Sequence, residues 1–236
     1  MIGAPAAGRK ASGLIAGGPG TPPSTLLSRA VDSFHPRRVP AFSRANYRRE
    51  LVASCLLPVA LAAVEGTVAA VIVKKSYTGV VPEEWLALTV GAVGAVGELA
   101  NLSSFAWAAL AHGRPKVRII AALQAAAVLM VAVVAVSPRT PAGLVMLVAA
   151  VLAARVCLAG MFTLRATVWR ANYERRARTR ATGKFATIQV IIIGLVALAV
   201  ARGRDSSQEL FRAMLLGSCL AGAAGVAIYS RIRVRG

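Results

Sequence analysis

The sequence predicts an all-α polytopic integral membrane protein, built as a six-transmembrane-helix bundle. Composition is the first reason: 57% of the 236 residues are hydrophobic and 16% are charged, whereas soluble domains carry about a quarter charged residues. The mean hydropathy of +0.64 points the same way. The apolar residues also gather into six long runs without barrel-like alternation. Because lipid offers no hydrogen bonds to the backbone, each run is predicted to be a helix.

Six predicted spans follow one another between residues 44 and 236. Each is long enough, at about 1.5 Å rise per residue, to cross or nearly cross a hydrocarbon core of about 30 Å. The fifth is the shortest. In chain order the spans cover residues 51–73, 85–111, 117–136, 142–164, 185–201 and 210–229.

Residues 1–43 have a different composition from the rest of the chain. They are rich in Gly, Pro, Ala and Ser and contain one acid, Asp32. Such a segment cannot bury enough apolar surface to offset its ordering entropy, so we predict a disordered cytoplasmic tail. A start codon placed too early is an equally simple explanation. The longest apolar patch is too short for a signal peptide.

The basic stretch at residues 165–184 orients the predicted bundle. It holds seven Lys or Arg residues and one acid, Glu174, and we interpret it as a long loop between the fourth and fifth spans. Cytoplasmic segments carry an excess of Lys and Arg, and about twenty-one of these residues fall on the side of this stretch, against about five on the other. Both termini are therefore predicted to be cytoplasmic, in a bacterial inner or plasma membrane.

Three ionisable residues fall deep within the predicted spans: Glu65, Glu98 and Arg155. All lie within about 6 Å of the predicted midplane, where a charge costs about 2.5–3.5 kcal/mol or more. At one depth they can meet across the bundle. One interpretation is a substrate and proton-coupling site, in which Arg155 binds an anionic group and a glutamate exchanges a proton. The other is a static ion pair that fixes helix packing.

The remaining polar chemistry argues against an enzyme. The three cysteines lie inside apolar runs without metal-ligand spacing, and the chain has two histidines. Neither a zinc-protease HExxH motif nor a nucleophile elbow with a paired histidine occurs, and there is no P-loop. We therefore expect no enzyme activity, no metal and no cofactor. Despite the net charge of +19, no nucleic-acid-binding motif is present.

A short motif occurs twice, as RANYRR from Arg44 and as RANYERR from Arg170. Either the two copies descend from a duplication, or both reflect juxtamembrane chemistry. In the second interpretation the arginines contact headgroups, and Tyr47 and Tyr173 lie in the interfacial aromatic belt.

The turn between the second and third spans carries Gly113, Arg114 and Lys116. Together with the six spans and the cytoplasmic termini, this basic turn gives the chain a pattern that resembles the N-terminal half of a major facilitator superfamily transporter. These three residues match the end of that family's loop motif and imply a cytoplasmic gating turn. The Asp and Arg that normally precede the glycine are replaced by Leu110 and Ala111.

The fourth span adds to the resemblance. Arg155 followed by Gly160 is similar to the family's Arg…Gly motif, with a spacing one residue longer. The resemblance implies a secondary transporter that works by alternating access, with proton coupling as one version. It also implies a partner, because the family binds substrate between two six-helix halves. This chain would be an N-terminal half, a fragment or a half that forms homodimers.

Two functions remain open from the sequence. The first is transport of a small solute, for which the midplane cation favours an anionic or zwitterionic one. The second is a non-transporting membrane scaffold, or the membrane subunit of a larger complex. The partners expected in the first case are the solute, a second six-helix half and membrane lipids, without nucleic acid.

Overall fold

The computed structural model describes residues 34–36 and 40–234, so most of the predicted tail lies outside the described residues. The described part is helical, and it contains no strand beyond one isolated bridge between Thr78 and Val81. Its α-helices, in chain order, are α1 Arg44–Leu61, α2 Gly66–Tyr77, α3 Glu83–Asn101, α4 Ser104–Leu110, α5 Lys116–Val136, α6 Pro141–Asn172, α7 Arg175–Ser206 and α8 Gln208–Tyr229.

The helices have the length and composition of a membrane protein. Among the described residues, five helical segments are long and apolar enough to cross a membrane, with α3 and α4 counted as one. A sixth is obtained if α1 and α2 cross together, since these two helices are bent by 44° at a short break. The N-terminal end of α1 is extended by one 3-10 turn, Ala41–Ser43.

The first predicted span is interrupted, which corrects the prediction of one helix over residues 51–73. After α1 come a 3-10 turn, Ala62–Val64, and Glu65 in an extended conformation with ψ of 132°. Pro58 lies in the last turn of α1. Because proline removes a backbone donor and clashes with the carbonyl four residues earlier, it weakens the helix just before the break.

The second predicted span is also divided. Its helix ends at Asn101 and resumes at Ser104, with α4 reaching Leu110. The Ser103 side chain donates a hydrogen bond of 2.7 Å to the Ala100 carbonyl. That bond competes with the helical backbone pattern at this point.

The basic stretch at residues 165–184 is not a loop, and this is the largest correction to the sequence prediction. Helix α6 continues through it to Asn172, and α7 begins at Arg175, so only Tyr173 and Glu174 interrupt the helices. Arginine and alanine are good helix formers. The clustered charges therefore do not end the helix.

Contacts between helix ends show which ends lie together. At one end, the Ser43 hydroxyl donates to the Asn172 carbonyl at 2.8 Å, and Arg49 Nη1 donates to the Arg231 carbonyl at 2.6 Å. At the other end, the Tyr77 hydroxyl donates to the Pro138 carbonyl at 3.0 Å. The start of α1 therefore lies beside the ends of α6 and α8, as alternating up-and-down helices require.

Glycine allows the closest helix contacts in the core. At Gly222 on α8, a Cβ atom would lie 2.7 Å from the Ala60 side chain on α1 and 2.9 Å from Val128 on α5. At Gly217, one turn earlier, a Cβ atom would meet nothing within 4 Å. Small residues at such positions let helix backbones approach in a membrane protein.

We predict that Gly222→Val lowers stability by about 1–3 kcal/mol, because the added side chain must displace Ala60 and Val128. Gly217→Val is the matched control in the same helix and should leave stability nearly unchanged. Thermal unfolding of the purified protein in detergent measures both. Equal melting temperatures for the two variants would contradict the packing of α8 described above.

Candidate functional site

An ion pair lies at the break in the first span. Arg155, in the middle of α6, donates from Nη1 to Glu65 Oε2 at 2.8 Å. The side chain of Arg155 is 19% exposed and that of Glu65 is 38% exposed. The structure thus brings together two of the three ionisable residues that the sequence places at one depth, and it leaves their pair reachable from outside the protein core.

The backbone at this point is also unusual for a membrane span. Glu65 is the N-cap of α2, so the first N–H groups of α2 and the last carbonyls of α1 face the break. Non-helical backbone at membrane depth is tolerated where protein buries it or where it lines a water-filled cavity. The positive end of the α2 dipole adds to the charge of Arg155.

Two glycines of α3 make room for this arrangement. A Cβ atom at Gly97 would overlap Arg155 Nη2 and lie 3.3 Å from Arg155 Cζ, so the guanidinium rests against the bare backbone of α3. One turn away, a Cβ atom at Gly66 would lie 2.8 Å from the Gly94 carbonyl oxygen. Helices α2, α3 and α6 therefore meet at the pair.

Glu98 is not part of this arrangement. Although it follows Gly97 directly, its side chain is exposed and forms no ion pair among the described residues. Gly91 and Gly94 on the same helix are also exposed, while the buried side of α3 carries Val93 and Val96. The rotation of α3 thus directs Glu98 away from Arg155.

The predicted gating turn lies at the end of the bundle rather than near the pair. Gly113 has φ of +69°, which a glycine adopts without strain, and Pro115 is the N-cap of α5. Arg114 is exposed and Lys116 partly so. The turn is therefore tight and basic.

A second polar cluster, which the sequence analysis did not identify, surrounds Glu50 near the start of α1. Glu50 is fully buried, and its Oε2 accepts hydrogen bonds from Trp169 Nε1 at 2.8 Å and from the Tyr173 hydroxyl at 3.3 Å. Burial, and then the nearby charge of Glu50, raises the pKa of Tyr173 well above its usual value. Tyr173 therefore remains a protonated hydrogen-bond donor at any ordinary pH.

Arg165 supplies the positive charge of this cluster. It is 2% exposed, and its Nη2 donates to the Ser54 hydroxyl at 2.9 Å. Its Cζ lies 5.0 Å from the ring centroid of Trp169, 5.6 Å from that of Tyr229 and 5.8 Å from that of Phe185. Aromatic faces stabilise a cation by several tenths to about 2 kcal/mol, more when water is excluded.

The spacing of residues 165, 169 and 173 could have revealed this cluster. Residues four apart share one helix face, so Arg165, Trp169 and Tyr173 form a single stripe if the helix continues beyond the fourth span. The two RANY copies also meet here. Tyr47 and Tyr173 are buried in one aromatic group, and the Tyr47 and Phe185 centroids are 5.5 Å apart. The interpretation of both tyrosines as interfacial belt residues is wrong.

Comparison with protein-family models, with curated proteins and with solved structures finds no match to this chain. Among the described residues, no three His, Cys, Asp or Glu side chains lie close enough to hold a metal ion.

We predict that Glu50→Gln destabilises the protein by about 1–3 kcal/mol, because it disturbs the buried hydrogen bonds from Trp169 and Tyr173 and removes the acid nearest to Arg165. Glu174→Gln, at an exposed position in the same region, is the control and should have little effect. Denaturation followed by tryptophan fluorescence measures both. A Glu50→Gln variant as stable as the wild type would show that the two charges do not depend on each other.

Proposed function

We propose that this chain is one half of a secondary transporter that moves a small solute across a membrane by alternating access. The observation that carries the proposal is the Glu65–Arg155 pair at a break in a membrane-length helix. Binding sites of many secondary transporters lie near the bilayer midplane and are formed by discontinuous helices. The resemblance to the N-terminal half of the major facilitator superfamily supports the same function.

The pair suggests how solute and proton could be exchanged. While Glu65 is ionised, it neutralises Arg155 and competes with any anionic solute. A proton taken up by Glu65 removes that competition, and the guanidinium and the N-terminus of α2 then bind the solute's anionic group. Loss of the proton reforms the ion pair and releases the solute. A carboxylate-bearing or zwitterionic solute fits this chemistry best.

The exposed surface of the bundle supports a partner. Of the five membrane-length segments, those at Glu83–Leu110 and Ala177–Gly203 are the least buried. The first of them carries Glu98, whose charge is costly in lipid and is better accommodated against protein or a water-filled cavity. A second six-helix half or a second copy of this chain would cover these helices. We also propose six spans, from the six apolar runs of the sequence, and cytoplasmic termini, from the distribution of Lys and Arg.

A membrane scaffold is the second candidate, and one observation favours it. A 2.8 Å charge-assisted bond from Arg155 to Glu65 joins α6 to the start of α2. Such a bond can fix helix packing by itself. In that case, substitutions at the pair should change stability or assembly without any flux.

Transport can be tested in proteoliposomes with a panel of radiolabelled carboxylates and amino acids under an imposed pH gradient. We expect gradient-driven uptake of at least one compound, and a loss of about tenfold or more in Arg155→Ala, because the anion loses a charge-assisted bond. Glu65→Gln should abolish the dependence on the gradient. The control is Arg139→Ala, which removes an exposed arginine between α5 and α6, away from the ion pair.

Two results would argue against proton-coupled transport. One is uptake that ignores the pH gradient and is the same in Arg155→Ala. The other is an absence of uptake throughout the panel, combined with altered melting temperature or assembly in Glu65→Gln. The second result would favour the scaffold.

Orientation can be tested separately by cysteine labelling. In a variant lacking Cys55, Cys157 and Cys219, we expect Lys74→Cys to react with a membrane-impermeant maleimide added outside intact cells. Arg170→Cys, at the predicted cytoplasmic end, should react only after the cells are permeabilised. The reverse pattern would invert the topology without affecting the fold.

A further inference from the structure

A groove opens at the predicted cytoplasmic end of the bundle, between the start of α5 and the segment that follows α8. Its volume is about 360 Å³. We call it the basic groove. Its walls include Arg114, Lys116, Val117 and Arg118 on one side and Ile232 and Val234 on the other.

The basic groove concentrates positive charge. Arg114, Lys116 and Arg118 form no ion pair among the described residues, and none of the residues lining the groove is acidic. Like charges so close together repel, and a bound anion would relieve that repulsion. The N-terminus of α5 contributes in the same direction, since this helix of 21 residues begins at Lys116.

The opposite wall carries two apolar residues beside Ser230. Ile232 is buried and Val234 is 43% exposed, and Val117 on the basic wall is also buried. A free inorganic anion gains nothing from such a wall. A ligand with a charged head and an apolar tail can contact both surfaces, and at the predicted cytoplasmic end such a groove would face lipid headgroups.

The second wall is held in place by α1. Asn46 Nδ2 donates to the Arg233 carbonyl at 2.8 Å, and the Arg233 N–H donates back to Asn46 Oδ1 at 3.3 Å. Arg49 bonds the Arg231 carbonyl in the same segment. The segment that carries Ile232 and Val234 is thus held in place by specific hydrogen bonds to α1.

We propose that the basic groove is a binding site for the phosphate headgroup of an acidic phospholipid in the cytoplasmic leaflet. The phosphate interacts with Arg114, Lys116 and Arg118, and the first acyl carbons lie along Val117 and Val234. The site is independent of transport, because it uses neither Glu65 nor Arg155. It would join α5 to the chain terminus beyond α8 through a lipid.

Native mass spectrometry of the full chain in neutral detergent tests this. Phosphatidylglycerol and phosphatidylcholine are titrated separately, and one tightly retained phosphatidylglycerol is expected. The triple variant Arg114→Gln, Lys116→Gln, Arg118→Gln should bind it about tenfold or more weakly. The control is Arg170→Gln, Arg175→Gln, Arg180→Gln, which removes the same charge from exposed positions at the same end and should retain the lipid.

Three results would overturn the proposal. Equal affinity for the two lipids would exclude recognition of the acidic headgroup. Equal losses in the two triple variants would indicate attraction by diffuse surface charge. Displacement of phosphatidylglycerol by excess inorganic phosphate would identify a free-phosphate site. If the groove triple unfolds, Arg118→Gln compared with Arg170→Gln decides between the same outcomes.

Discussion

The structure depends on two arginines of α6 that hold a broken helix in place. A span interrupted at Ala62–Glu65 leaves backbone groups without their usual helical partners and places the Glu65 carboxylate beside them. Both are costly in an apolar environment. Arg155 compensates the carboxylate at the break. Arg165, ten residues further along, bonds the Ser54 hydroxyl on the other side of the break. Helix α6 thus contacts the first span at the break itself, through Glu65, and on the N-terminal side of the break, through Ser54.

The two arginines differ in what surrounds them, and this difference separates their roles. Arg165 is buried among aromatic rings that take the place of water, so moving it out of this cluster would leave its charge without these contacts in the core. The Glu65–Arg155 pair is partly exposed, so water or a solute can replace either partner at lower cost. One cluster is suited to hold helices together, and the other to exchange partners.

The sequence predicts the helices better than their interruptions. Long apolar runs and the depth of Glu65 and Arg155 are properties of chain position alone, so both could be read directly. The break after Leu61 was not predicted, although Pro58 precedes it, because the run is otherwise apolar and proline is tolerated within transmembrane helices. Glu98 was predicted at the same depth as Arg155, but the direction of its side chain depends on how α3 rotates against α2 and α6.

Arg165 shows a different limit of sequence reasoning. Clustered arginines were interpreted as the end of a span, since charge usually marks the membrane boundary. Trp169 lies four residues after Arg165 on the same face of α6, and Tyr173 follows four residues later at the end of that helix, so a periodic signal was present in the same twenty residues. The density of Lys and Arg predicts where a chain meets the membrane surface, whereas the spacing of large side chains along a helix predicts which face packs in the protein core.

The positions of these contacts also limit which parts could move. At the predicted cytoplasmic end, the Glu50 and Arg165 cluster joins α1, α6, α7 and α8 through buried bonds and ring contacts. Beyond the break, α2 lies against α3 at Gly66, where the backbones are too close to slide independently. A rearrangement that separates Glu65 from Arg155 would therefore move α2 and α3 together, with residues 62–65 as the hinge. The exposed surface of α3 would move with them, which connects the ion pair to the surface on which Glu98 lies.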